Sequence, residues 1–142
     1  MFKLNEDLVI LCDKPVNKEN VIKKISLSLY EQGYISNMEL FIEHVLEREK
    51  AGSTYIGNNI AMPHCESASV ESNSFVIFKS NQPLSWNEHK VNIVALFVLH
   101  PNSSSLEKQY YKKYIKALGD EKIVNDLKKA NDKEKIVMLF ES

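Results

Sequence analysis

VNIVALFVL, residues 91–99, is the stretch on which the fold turns. Only Asn92 interrupts its apolar character, and a short run this uniform suits a strand buried on both faces, at the centre of a sheet. The distribution of charge supports that placement. Residues 1–50 carry 16 charged side chains and residues 101–142 carry 16, whereas residues 51–100 carry five. Helix surfaces consume charge and doubly covered strands do not, so the middle third reads as the sheet and the two flanks as helices.

Outward from that strand, residues 74–79, SFVIFK, predict a second strand, and Gln82 to Lys90 read as a turn-rich excursion between the two. Asn59 to Met62 suit a short strand that delivers His64 to a loop, with Met62 extended because it precedes Pro63. Toward the N-terminus, Met38, Phe41, Ile42, Val45 and Leu46 recur at i, i+3, i+4, i+7 and i+8, one apolar helical stripe. Ser36 or Asn37 can cap that helix, Glu39 sits in its first turn and Gly52 lies just past its end. A preceding helix from Asn17 to Tyr34 carries Val21, Ile22, Ile25 and Leu29, with Gly33 as its stop, and Leu8 to Cys12 suit a first strand. Beyond Pro101, Tyr111, Tyr114, Ile115 and Leu118 fit one helical face, followed by shorter patterns at Ile123–Leu127 and Ile136–Phe140. The order predicts a layered α/β domain with a mixed sheet.

Composition narrows the function. The 142 residues hold 18 basic and 19 acidic side chains, so no basic excess is present to neutralise a phosphate backbone, and direct nucleic-acid binding is disfavoured. No stretch approaches the about 20 apolar residues of a membrane span, and the N-terminal apolar run is too short for a signal peptide. Cys12 and Cys65 form no C-x-x-C pair and fit a reducing compartment; a disulfide between them stays open. The expectation is a single cytoplasmic domain over residues 1–142, without membrane insertion. Dispersed His and Cys residues show no metal-ligand spacing, and no glycine-rich nucleotide cradle is present, so neither metal nor cofactor is expected.

Of His44, His64, His89 and His100, the second stands apart. It follows a proline at the end of a short apolar segment, where a rigid approach holds an imidazole still, and imidazole is a competent nucleophile near neutral pH. Arg48 is the single arginine beside 17 lysines. It continues the Met38–Phe41–Val45 line, so it turns inward at the helix end, either as a bidentate phosphate donor or as a cation at a helix C-terminus. The residues alone leave those two readings level. Cys65 adjoins His64 on extended chain and points to the opposite face, which argues against a Cys–His pair. Trp86, with Pro83 and Leu84, reads as a packing anchor.

LEREKAGSTYIGNNIAMPHC, residues 46–65, strongly resembles the signature of the enzyme IIA domains of the bacterial phosphoenolpyruvate-dependent sugar phosphotransferase system, in the mannitol/fructose/nitrogen-regulatory class. The matching steps are Arg48-Glu49, Ser53-Thr54, Ile56-Gly57-Asn58 and Ile60-Ala61-Met62-Pro63-His64. Pro83 to Trp86, the strand Val91 to Leu99 and Leu118-Gly119-Asp120 extend the likeness over the whole chain. The resemblance implies a three-layer α/β/α sandwich with a mixed β-sheet. It implies a phosphotransferase component in which His64 accepts a phosphoryl group from the phosphocarrier HPr and passes it to a cysteine of an enzyme IIB domain. Arg48 would steady the phosphoryl group and keep the imidazole unprotonated, and Thr54 would help to bind phosphate or orient the site.

Three departures qualify the likeness. Transport members commonly carry a second histidine near the start of the helix after the central strand, where this chain reads Leu106-Glu107-Lys108-Gln109. Cys65 stands where a glycine usually follows the histidine, and Asn59 replaces the glycine of Asn-Gly. These changes resemble enzyme IIA-like domains of phosphotransferase-controlled transcription antiterminators and activators, so a regulatory partner is the alternative to a IIB domain.

Overall fold

The computed structural model describes residues 3–141. A 3-10 turn at Glu6–Leu8 leads into strand β1 (Val9–Cys12), followed by helices α1 (Lys18–Glu31) and α2 (Met38–Ala51). Four short or medium elements then build the sheet, β2 (Tyr55–Gly57), β3 (Ile60–Ala61), β4 (His64–Glu66) and the long β5 (Ser74–Trp86), before β6 (His89–Leu99). Helices α3 (Ser105–Leu118), α4 (Glu121–Lys129) and α5 (Lys133–Leu139) close the described chain. The six strands run in the order β1-β5-β6-β3-β2, with β4 also paired to β6. β1–β5, β3–β6 and β4–β6 are parallel, while β5–β6 and β2–β3 are antiparallel. The result is a mixed sheet in a three-layer α/β/α arrangement.

β6 holds the centre because it can be buried on both sides: Val91 and Ile93 through Leu99 are all buried. Its neighbours divide along its length, with Ile60 opposite Ile93 near its start and His64 opposite Phe97 near its end. Both therefore lie on one edge of β6, separated by the Met62-Pro63 step. Phe75 pairs with Phe97 across β5–β6 and stacks on Tyr114 of α3 at 4.5 Å between centroids. Directly paired residues share a face, so Phe75, Phe97 and His64 all point to the α3 side of the sheet. Cys65 points to the other face, toward the α2 side.

Two expectations change. His64 opens a strand instead of sitting in a loop, because the chain after Pro63 finds the free upper edge of β6. Gln82–Lys90 is mostly strand: β5 runs on to Trp86 through a register shift between Lys79 and Leu84. The excursion looked turn-rich because its outward positions are polar, while Leu84 and Trp86 are buried. The turn reduces to Asn87-Glu88, with Asn87 at φ 58°. Elsewhere the capping chemistry follows the sequence, with Asn37 capping α2 through the Leu40 amide at 3.0 Å and Gly33 taking φ 83° after α1. Ser104 and Glu107 form a reciprocal capping box at the start of α3.

Candidate functional site

His64 is held by backbone on both sides of its approach. The Met62 amide donates to the Thr54 carbonyl at 2.8 Å, and the Phe97 amide donates to the Pro63 carbonyl at 3.0 Å. Proline supplies no amide of its own, so these two bonds fix the chain without crossing the ring. The imidazole is half-buried. Its Nδ1 is fully buried with no hydrogen-bond partner among the described residues. Burial first, and the Arg48 guanidinium second, lower the His64 pKa from its ordinary value near 6.5. The Met62 backbone, and the charges of Glu66 and Glu49, act in the opposite direction. The net effect favours the neutral ring, the form with a nucleophilic lone pair. On its outer side the ring meets Tyr111 of α3, edge to face, with centroids 6.3 Å apart and planes at 88°.

Arg48 sits in the last turn of α2, partly buried, and its Nη1 donates to the Gly52 carbonyl at 3.2 Å. The two readings of this residue are compatible, since a guanidinium carries five donors and this bond uses one. It closes the helix C-terminus while its charge acts on the imidazole.

The next residue, Glu49, anchors a buried cluster. Its Oε1 pairs with Lys18 Nζ at 2.9 Å, and its Oε2 accepts from Thr54 Oγ1 at 2.6 Å. Trp86 Nε1 in turn donates to Thr54 Oγ1 at 3.2 Å, and Lys18 Nζ lies 4.8 Å from the Trp86 ring centroid. The Thr54 hydroxyl is thus engaged on both sides, away from His64. Its link to the ring is the backbone bond to Met62. The cluster ties α1, α2 and the β5 end together beneath the segment that presents His64.

Residues 2–142 match the sequence pattern of the family described as phosphoenolpyruvate-dependent sugar phosphotransferase system, EIIA 2. The chain belongs to this family. The transcriptional regulator ManR of Bacillus subtilis is 27% identical over 104 residues, 73% of this chain and 16% of the regulator. The 2-O-alpha-mannosyl-D-glycerate-specific EIIABC component of Escherichia coli is 30% identical over 104 residues, 70% of this chain and 16% of that protein. The chain thus spans only about a sixth of either relative. In fold, the enzyme IIA of the E. coli mannitol system, solved in complex with phosphorylated enzyme IIB, superposes with a TM-score of 0.80 at 23% identity, covering 99% of this chain and 98% of that one.

The departures of this EIIA chain from the signature have local explanations. Asn58 and Asn59 both take left-handed backbone, φ 53° and 62°, between β2 and β3. Asparagine tolerates that region, and Asn59 adds a side-chain bond from its Nδ2 to the Lys90 carbonyl at 3.2 Å, which glycine could not make. Cys65 is buried against the α2 side, which pushes its thiol up to about 12 and keeps it protonated. Both cysteines are free thiols.

The other histidines are engaged elsewhere. His44 Nδ1 meets Ser67 Oγ at 2.8 Å, His89 stacks on Tyr55 at 4.0 Å between centroids, and His100 Nδ1 accepts from the Asn102 amide at 3.0 Å. Among the described residues no three His, Cys, Asp or Glu side chains converge on a metal-sized space. Sequence reasoning missed Glu66 and Tyr111. Tyr111 was legible only as one member of the apolar face of α3, and nothing in linear spacing says which sheet residue that face meets.

Proposed function

We propose that this EIIA domain is a phosphoryl-transfer component that accepts a phosphoryl group from phospho-HPr on His64 and delivers it to a cysteine of an enzyme IIB domain. The supporting observation is the half-buried, neutral-favoured imidazole with a cation beside it and one nitrogen sealed. Because Nδ1 is buried, this reading assigns the phosphoryl group to Nε2, the other ring nitrogen. Its lone pair attacks phosphorus in line. The P–N bond to the donor imidazole breaks, that imidazole keeps the electron pair, and a P–N bond to Nε2 forms. Arg48 offsets charge on the equatorial oxygens, which is where phosphoryl transfer needs stabilisation. Delivery to a thiolate reverses the sequence, breaking the P–N bond and forming P–S. Thr54 contributes through position, holding Glu49 and the Met62 backbone.

A regulatory input domain is the second reading, favoured by the likeness to a transcriptional regulator. There the phosphoryl group on His64 would alter contacts with a partner instead of moving on. Incubation with enzyme I, HPr and labelled phosphoenolpyruvate tests both. Acid-labile label absent from His64→Ala supports the acceptor, and its discharge to a IIB domain supports transport. Label that enters and is never discharged to any IIB domain sinks the transport reading; no label sinks both.

A further inference from the structure

Tyr111 is the α3 side chain that comes against the reactive ring, and its placement is over-determined. Its edge-to-face contact with His64 fixes one side. Phe97, the β6 partner of His64, packs against the same phenol at 4.4 Å between centroids and 58° between planes. Packing therefore sets the ring, and the hydroxyl at its tip hydrogen-bonds to no described residue. A partly buried phenol held this firmly by apolar contacts usually finds a polar partner for its O–H.

The electrostatics of the two groups are shared. Arg48 and Glu66 act on His64 and on Tyr111 alike, in addition to burial. Burial and Glu66 raise the phenol pKa, with Arg48 pulling the other way, so the group remains an O–H donor throughout the neutral range. Around the His64 ring, then, act the Arg48 charge and a phenol whose O–H donates to no described residue.

We infer that Tyr111 is a phosphoryl-binding residue, its hydroxyl donating to a non-bridging oxygen of a phosphoryl group carried on His64 Nε2. The inference rests on His64 being the acceptor. No bond to Tyr111 forms or breaks, and its proton stays on oxygen. The phenol supplies a directed hydrogen bond and Arg48 supplies charge, so the phosphoryl group is gripped from the α3 side and the α2 side of the sheet edge.

The test is Tyr111→Phe in the full chain, which keeps the ring contacts and removes only the hydroxyl. His64 should still label to completion with enzyme I, HPr and phosphoenolpyruvate. The rate of transfer should fall about tenfold, the magnitude of one lost hydrogen bond to a charged group. The 31P resonance of the phosphohistidine should move, and the melting temperature should not. Tyr111→Leu, which also removes the ring from Phe97, should lose thermal stability as well. Tyr111→Phe with the wild-type rate and an unmoved 31P resonance overturns the proposal, as does a rate loss matched by a fall in melting temperature. A wild-type chain that never labels overturns the acceptor reading itself, a result distinct from a labelled wild type with an unaffected Tyr111→Phe.

Discussion

Two basic nitrogens lie on the same face of the sheet, and the protein treats them oppositely. Lys79, on β5, is 6% exposed, and its ammonium donates to the carbonyl of Ala130, the C-terminal cap of α4. His64, on β4, has a buried Nδ1 that bonds to nothing described and a cation as its main charged neighbour. Burial lowers the pKa of both. For Lys79 the helix end offsets that cost by placing a cation where the last carbonyls need a donor. For His64 the Met62 backbone, Glu66 and Glu49 offset it only in part, so the balance favours the neutral ring. One nitrogen is tied into the fold, and the other is left without a partner among the described residues.

The contrast can be broken at several points. His64→Ala should abolish phosphoryl acceptance while leaving the fold intact, read by labelling and by circular dichroism; a labelled variant would move the acceptor elsewhere. Arg48→Met should slow phosphoryl transfer by roughly 100-fold, the scale of a lost charge-stabilising donor. Lys79→Ala should do the reverse of both. By leaving the Ala130 carbonyl and the end of α4 unsatisfied it should cost about 1–3 kcal/mol in chemical denaturation and leave transfer unchanged. Thr54→Val removes the donor to Glu49 and the acceptor of Trp86, and should cost about 1–2 kcal/mol in the same measurement.

The smallest effect concerns pH. The His64 pKa is lowered in the folded chain, so its neutral form contributes stability that is present above about 6.5 and lost as pH falls through the folded value. An NMR titration of His64 should therefore have its midpoint below 6.5, and Arg48→Met should raise it toward that value without reaching it, since burial is the larger cause. His64→Gln should lose less stability than the wild type between neutral and mildly acidic pH. An unchanged midpoint in Arg48→Met would separate the guanidinium from the imidazole.

Much of the architecture was legible because it rests on local rules. The helical stripe from Met38 to Leu46, the Asn37 cap, the Gly33 stop and the central position of Val91–Leu99 follow from spacing, capping chemistry and unbroken apolarity. Two positions escaped those rules for one reason. Whether His64 lies in a loop or a strand, and whether Gln82–Trp86 is turn or strand, depends on which edge of β6 is free. Pairing partners are not encoded in the segment being paired.

The sequence by itself singled out the candidate histidine, the lone arginine and the family signature around them, because residue type and order are all that these require. Tertiary structure alone decided that Nδ1 of His64 is buried, that the Thr54 hydroxyl faces Glu49 and Trp86, and that Tyr111 arrives from 47 residues downstream to meet the ring. Each of these depends on the register of β4 against β6 and on the docking of α3 over Phe97. Such long-range packing brings together side chains that no period or motif connects.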